Sequence, residues 1–374
     1  MQKVAVILIN YKDYAERFLS ECRDSLRIQS YLKEDFTVYI IDNASNENSL
    51  KYLKESYPEA KVFPRNDGNY SAANNLGIKK AIEDGFELFV IANMDTKFDQ
   101  NWLKELVSAA QSDEKIGLAQ SLILLYPKNE KEKNNPRINS LGNSLHYLGF
   151  GFTDGYGRTL KGPFDATSTY ATATADEQGD KNEVEDIKGY ASGCSLIIKK
   201  EVLDKIGFYN EEYYMYHDDI ELGWRAKLAG YKIALAPRSI VYHKYEFSRS
   251  VRMFYYMERN RYLVMLHFYQ VPTLILLLPI IMIMDMGIWF FSVLNGQAAT
   301  KLKVCQYFLK LDTWSKIKAI RREVKKFRSL KDIEIINNCV AEILFQEVAS
   351  PALKYIGNPL CRLYFRMVKK LISW

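Results

Sequence analysis

What this chain has little of narrows its chemistry. Its 374 residues hold five cysteines, Cys22, Cys194, Cys305, Cys339 and Cys361, odd in number and far apart, with no CxxC or Cys/His ligand spacing. That excludes a disulfide framework and a structural zinc, and points to a reducing compartment. Only four histidines and ten prolines occur, and no repeat of 20–50 residues is seen. The N-terminus opens directly on Val4-Ala5-Val6-Ile7-Leu8-Ile9, too short for a signal-peptide core with its cleavage site and better read as a buried strand, so a cytoplasmic start is expected.

What is there suits a sizeable folded body. Hydrophobic residues make up 48% of the chain, and its length corresponds to two or three domains. The net charge of +6 is uneven, because Lys301–Arg328 carries ten Lys or Arg against Asp312 and Glu323, a local +8. The remainder is therefore about −2. Because this basic segment follows the most apolar run, it favours a membrane surface and argues against nucleic acid as partner, since nucleic-acid binders spread basic and aromatic residues over a folded groove.

Strands are predicted at Val4–Ile9, Thr37–Ile41, Ala60–Phe63, Glu87–Ile91 and Leu118–Leu124, and helices at about 14–31, 47–56, 71–84 and 101–112. Such alternation implies an α/β fold with a mostly parallel sheet flanked by helices. Ligands of such sheets bind beyond the carboxyl ends of the strands. That rule selects Asn10-Tyr11, Asp42-Asn43 and Asn93-Met94-Asp95. Residues 127–186, polar and rich in Gly and Asn, read as loops on the acceptor side of a site. A strand at 190–199, a helix at 200–206, a helix at 216–230 and closing strands at 233–237 and 239–242 follow. Val271–Leu294 is apolar except for Thr273, Asp285 and Ser292, long enough to cross a bilayer. Pro272, Pro279 and Asp285 argue against a simple span, so a re-entrant hairpin or two short interfacial helices is expected. Residues 340–374 close in a basic amphipathic stretch that reads as a second surface anchor.

Each polar motif has a structural and a functional reading. Asp42-Asn43-Ala44-Ser45 is an Asx-type turn or, with an exposed carboxylate, a contact for a pyrimidine imide. Asn66 to Gly77 leads into a helix whose N-terminal N–H groups suit a nucleotide or its phosphates, with Ser71 as cap. It lacks the GK[ST] ending of a Walker loop and the GxGxxG of a dinucleotide site. Asn74 belongs to this run of amides. Asn93-Met94-Asp95-Thr96 is a turn, or offers Asp95 to a hard divalent cation. His243 ends a strand or completes a metal shell. In Met215 to Gly230, Asp218, Asp219 and Glu221 crowd one helical turn, where Asp218 with Glu221 forms a capping box or the acids supply a base.

Taken in order, Ile9-Asn10-Tyr11, Asp42 to Ser45, Asn66 to Gly77, Asn93 to Thr96, Ala191-Ser192-Gly193-Cys194, Gly207 to Glu211, Tyr216 to Arg225, His243 and Arg259-Asn260 resemble the family 2 glycosyltransferases of GT-A fold, in particular a rhamnosyltransferase-like branch. The resemblance implies inverting transfer of a sugar from a nucleotide diphosphate-sugar, dTDP-rhamnose or a UDP-sugar, to a hydroxyl of a lipid-linked or cell-surface glycan, with Mg²⁺ or Mn²⁺. It places Asn10, Tyr11, Asp42, Asn43, Asn66, Asn74 and Asn93 around the donor, Asp95 and His243 at the metal, and Asp219 as base, with Asp218 and Glu221 capping the helix or holding the acceptor. A base at a helix N-terminus is expected to have a lowered pKa. Residues 1–262 would form the GT-A domain and 263–374 a helical membrane-associating region at the cytoplasmic face of the cell membrane. The alternative is a non-catalytic nucleotide-sugar-binding subunit of a glycan assembly complex.

Overall fold

The computed structural model describes residues 2–160, 184–245, 253–344 and 351–374. Strands β1 (Val4–Asn10), β2 (Phe36–Asp42), β3 (Lys61–Pro64) and β4 (Leu88–Ala92) form a parallel block in the order β4-β1-β2-β3. Side chains alternate faces along a strand, and β1 shows the result. Val4, Val6 and Leu8 enter one core with Phe18 and Leu19 of helix α1 (Tyr14–Arg27), whereas Ala5, Ile7 and Ile9 enter another with Ala73 and Ile78 of helix α3 (Tyr70–Glu83). Burial on both faces explains an unbroken apolar run. Gly77 lets α3 settle on β1, because a Cβ there would stand 2.6 Å from Ile7 Cγ2. Helix α2 (Glu47–Ser56) begins with a capping box between Asn46 and Ser49.

Beyond β4 the sheet is mixed. Short β5 (Thr96–Phe98), long β6 (Ile116–Leu125), β11 (Ser195–Lys199) and β12 (Lys232–His243) continue it, with β11 antiparallel between β4 and β6. Helix α4 (Trp102–Gln111) packs against β6 and β12. The two closing strands expected from Pro237 are a single strand, whose register with β6 shifts between Ala236 and Ile240. A bulge accommodates a proline that cannot donate to the ladder.

Residues 127–160, expected as loops, hold a short helix α5 (Glu130–Asn134) and strands β7 (Ile138–Ser140), β8 (Asn143–Leu145) and β9 (Gly151–Thr153). The part of that expectation covering 161–183 lies outside the described residues. β10 (Glu185–Asp186) pairs with β12. Leu145, Tyr147, Leu148 and Phe152 share a core with Tyr190, Trp224, Leu263, Phe268, Leu277, Ile336 and Phe365. The boundary expected at 262/263 falls inside helix α8 (Phe254–Phe268), and the two regions on either side of it are joined by that core.

Helices α6 (Lys200–Ile206) and α7 (Asp218–Leu228) precede β12, and after α8 comes α9 (Val271–Leu294). The expected hairpin or helix pair is instead this one 24-residue helix, about 36 Å long at ~1.5 Å per residue. Two of the three residues that argued against it are accommodated. Pro272 lies in the first turn, where no N–H is needed. Pro279 lies inside the helix, and Asp285 turns inward to meet the Tyr262 hydroxyl and the buried Lys301 ammonium. Among the described residues α10 (Ala298–Leu309), α11 (Leu311–Phe327) and α12 (Asp332–Asn337) follow, and a π-helical turn (Leu353–Gly357) leads into α13 (Asn358–Leu371). The basic segment is also less free than its charge suggests. Lys301 is buried against Glu258, Arg321 donates to the carbonyls of Leu266 and Tyr269, and Arg328 pairs with Asp332.

Candidate active site

The parallel register sets Asn10 beside Asp42 at the carboxyl ends of β1 and β2. Asn10 Nδ2 donates to Asp42 Oδ1 at 2.7 Å, and the Ser49 hydroxyl donates to Asp42 Oδ2 at 2.6 Å. Asn10 Oδ1 accepts from the Ala15 N–H at 2.8 Å, tying α1 to the same point. Asp42 is thus fully buried, not exposed as expected, and each oxygen already accepts one hydrogen bond. Beside it, Asn43 Oδ1 and Ser45 Oγ are buried without a partner. Tyr11 is 43% exposed next to Gly68. At Gly68 φ is +69°, and a Cβ would meet the Tyr214 hydroxyl at 2.6 Å.

The N-terminus of α3 differs from the expected phosphate site. Asn69, not Ser71, is its cap, accepting from the Ala72 N–H at 3.1 Å. The Tyr70 and Ser71 N–H groups donate to the Tyr214 carbonyl at 2.8 and 3.2 Å, so the first donors of the helix are already engaged. What remains is side-chain chemistry. Ser71 Oγ is buried without a partner, and Asn74, beside the Tyr70 hydroxyl, is buried with neither polar atom in a well-formed hydrogen bond. An unmet buried polar group costs about 1–3 kcal/mol, so this concentration calls for a polar ligand or water. Asn75 is consumed in bracing Tyr209 and Glu211, and Asn66 stands exposed and outside the cluster.

Strand β5, too short to read from sequence, pairs Thr96 with His243 and so brings the Asp95 turn beside that imidazole. His243 Nε2 lies 3.4 Å from Asp95 Oδ1. Asn139 Oδ1, 2.8 Å from His243 Nδ1, accepts its proton and turns Nε2 toward Asp95. The Tyr14 hydroxyl donates to the other Asp95 oxygen. Burial lowers the His243 pKa, but Cys194 and Asp95 beside it outweigh that and raise it to about 10. Asn139 sits 104 positions from His243, and no linear motif announces it.

The three acids at the start of α7 occupy different environments. The expected capping box is absent: His217 is the N-cap without a side-chain capping bond, its Nε2 lying 3.1 Å from the Gly149 carbonyl instead, and Asp218 is the first helical residue. Glu221, expected to cap or to hold the acceptor, is locked at 2.6 Å to Arg225, with both side chains buried. Arg225 also donates to the carbonyls of Ile206, Gly207 and Phe208. Asp218 is buried and Asp219 partly so. Burial, and then the neighbouring Asp219, push the Asp218 pKa well up. Burial raises Asp219 to about 6, against the N–H groups of Ile220 and Gly193 that stabilise its charge. The expected lowering by the helix dipole is therefore overturned, because removing a carboxylate from water outweighs the dipole. The result is an adjacent carboxylate pair with both pKa values raised by burial, Asp219 to about 6.

The preceding loop is strained. Tyr214, Tyr216 and His217 have φ of 66°, 62° and 60°. Tyr214, at ψ −64°, centres a γ-turn closed by Met215 N–H to Tyr213 O at 2.7 Å. Positive-φ γ-turns are rare, and each left-handed non-glycine costs about 1–3 kcal/mol.

Tyr70 joins the parts. Its hydroxyl donates to Asn93 Oδ1 at 3.4 Å, and its pKa is raised by burial and by Asp218. The Asn93 N–H donates to the Cys194 carbonyl at 3.0 Å, and Cys194 adjoins His243. Tyr70 thus links Asn74, Asn93 and the acids, and Cys194 links Asn93 to the Asp95–His243 pair.

Comparison with known proteins bears on the fold and the family. Residues 5–207 match the family model described as Glycosyl transferase family 2. The chain is 24% identical over 254 residues, 64% of its length and 75% of the relative's, to an N-acetylglucosaminyl-diphospho-decaprenol L-rhamnosyltransferase of Mycobacterium tuberculosis. It is 22% identical over 228 residues to the low-salt glycan biosynthesis hexosyltransferase Agl10 of Haloferax volcanii, covering 61% of this chain and 62% of that one. Among solved structures, GalNAc-T7 with UDP, GalNAc and Mn²⁺ superposes with a TM-score of 0.51 at 16% identity, over 72% of this chain and 49% of that one. The shared architecture is the GT-A fold.

Proposed function

Since the chain belongs to glycosyl transferase family 2 and is an enzyme of the glycosyltransferase class, we propose that it moves a sugar with inversion from dTDP-rhamnose or a UDP-sugar to a hydroxyl of a lipid-linked or cell-surface glycan. The observation that carries this reading is the buried carboxylate pair of α7, with Asp219 raised to about 6, together with the unmet polar atoms at the end of β2 and the start of α3. A base with a pKa near 6 is ionised at neutral pH and still basic enough to receive a hydroxyl proton late in the displacement. Asp219 takes that role. Burial and the charge on Asp219 disfavour ionisation of the adjacent Asp218. A single displacement requires no protein nucleophile.

The donor nucleotide is met by Asn43, Ser45, Ser71 and Asn74, whose unpartnered atoms offer both donors and acceptors. Asp42 serves chiefly by holding Asn10 and Ser49 in place, and Tyr11 offers an exposed ring. Asp95 with His243 suits a divalent cation, because Asn139 accepts the Nδ1 proton and turns Nε2 toward Asp95, where a bound cation would take the place of the Nε2 proton. Among the described residues no group of three or more His, Cys, Asp or Glu side chains could hold a metal. The ion would therefore depend on donor phosphate oxygens and water, the habit of Mg²⁺ and Mn²⁺ sites at diphosphates. When bound, such an ion neutralises charge on the leaving diphosphate.

The proposed location is the cytoplasmic face of the cell membrane. On α9, Ile275, Leu278, Met282, Met286, Phe290 and Val293 are 52–71% exposed, while Thr273, Leu277 and Ile280 face the protein. On α13, Leu363, Met367 and Leu371 are exposed and Cys361, Phe365 and Val368 are buried. Helices with one side packed on protein and an apolar outer side suit insertion into a lipid interface. Exposed Lys303, Lys310, Lys318, Arg322, Arg362 and Arg366 supply charge for anionic headgroups.

The test is calorimetry and nucleoside-diphosphate release with dTDP-rhamnose, UDP-glucose, UDP-galactose and UDP-N-acetylglucosamine, with and without Mn²⁺, using a membrane lipid extract as acceptor. Metal-dependent binding and turnover of one donor is expected. Binding without turnover would favour the non-catalytic subunit, and no binding at all would defeat the proposal.

A further inference from the structure

The strained loop 213–217 delivers the α7 acids, and one pair on a neighbouring helix holds it. Positive φ at Tyr214 and Tyr216 turns the carbonyls of Tyr213, Met215 and Tyr216 toward a common point. Converging acceptors repel one another unless a donor stands between them. Asn260 supplies it: its fully buried Nδ2 lies 2.8, 3.0 and 2.7 Å from those three oxygens.

The amide has only one workable orientation. Its Oδ1 accepts from Arg259 Nε at 2.9 Å and from Nη2 at 2.8 Å, so its N–H₂ must face the loop. Arg259 Nη2 also donates to the carbonyls of Glu212 and Tyr213 at 2.6 and 3.0 Å. Its guanidinium lies 5.2–5.4 Å from the ring centroids of Tyr255, Tyr256 and Tyr307. The helix under the pair is itself anchored, because Glu258 binds Arg261 at 2.9 Å and Lys301 at 2.6 Å. The loop they hold touches both halves of the site. Its Tyr214 carbonyl receives the first N–H groups of α3, and its last residue is the N-cap of α7.

We infer that Arg259 and Asn260 are a positioning pair, which fixes the loop 213–217 and through it sets the Asp218–Asp219 carboxylates against the acceptor hydroxyl. Neither touches substrate. The inference rests on the glycosyl-transfer reading for its kinetic consequence, but its structural half stands without it.

Two isosteric variants of the full chain separate donation from space-filling: Asn260→Asp keeps shape and places an acceptor against three carbonyls, and Asn260→Leu keeps volume without polarity. Both are expected to lower kcat about 100-fold, the scale of a 1 Å misplacement, while the affinity for dTDP or UDP with Mn²⁺ and the donor KM stay within about threefold. Hydrogen–deuterium exchange should accelerate in 213–219 and not in β1 or α4. Arg259→Lys, which keeps the charge but loses the fork, should show the same pattern more weakly and decides the matter if the Asn260 variants do not fold. Retention of kcat within about threefold in Asn260→Leu, or a loss of turnover matched by an equal loss of nucleotide-binding sites, overturns the inference. If wild type turns over no donor while the exchange pattern appears, the transfer reading fails and the loop assignment survives.

Discussion

Asp219→Asn should make the protein more stable and catalytically inert, with both effects depending on pH. Burial lifts the Asp219 pKa from 3.8 to about 6, worth about 3 kcal/mol. Because the folded pKa lies above the unfolded one, the contribution to stability is fully present below about pH 4 and is lost as pH rises through about 6. Asparagine escapes that loss and keeps an oxygen for the Ile220 N–H. Its N–H₂ cannot accept from Gly193, which costs about 1 kcal/mol, and partial exposure of the site screens part of the gain. A net gain of about 1–2 kcal/mol at pH 8 is expected, worth a few degrees in Tm, and it should vanish by pH 4. Turnover should fall about 10²–10⁴-fold, the usual contribution of a general base, with nucleotide affinity retained. Calorimetric melting at pH 4, 6 and 8 with kinetics at pH 8 measures both. A variant that is less stable at pH 8 than wild type, or that keeps its turnover, refutes the reasoning.

Other outcomes follow from the same geometry. In wild type, kcat/KM should rise with pH along an acid limb near pH 6, and that limb should be missing from the residual activity of Asp219→Asn. Asn139→Ala frees the His243 ring and should weaken Mn²⁺ binding about 10–100-fold in the presence of nucleotide, as measured by titration calorimetry. Arg225→Ala strands the buried Glu221 carboxylate and should destabilise the fold by about 3–5 kcal/mol in urea denaturation. Met286→Glu with Phe290→Glu, both on the exposed side of α9, should release the full chain from anionic vesicles in flotation without changing its melting temperature. Deleting residues 266–374 should instead yield aggregated protein, because Leu145, Tyr147 and Trp224 would lose the core they share with the later helices.

The parallel block was legible because β1, β2 and β4 are apolar runs closed by polar strand ends, a pattern that follows directly from burial on both faces. The positions of Asn10, Asp42 and Asp95 at those ends were legible for the same reason, and those of Asn74 and Asp219 because each falls in the first turns of a helix marked by its sequence pattern. Their environments were not. Whether Asp42 is exposed depends on Asn10 and Ser49 folding over it, and the Asp219 pKa depends on how much water the fold removes from a helix start that, taken alone, would lower it. His243 needed Asn139 from a stretch read as loop. Asp285 looked prohibitive in an apolar helix only until Lys301, 16 residues later, closed on it. Long-range partners of this kind leave no local periodicity to read.

The claim that one displacement, assisted by Asp219, transfers the sugar is tested most directly by the configuration of the product. With the donor that binds in the calorimetric screen, proton NMR of the glycan formed by the full chain should show the anomeric configuration opposite to that of the donor. Retention of the donor's configuration would require a second displacement and would contradict the account.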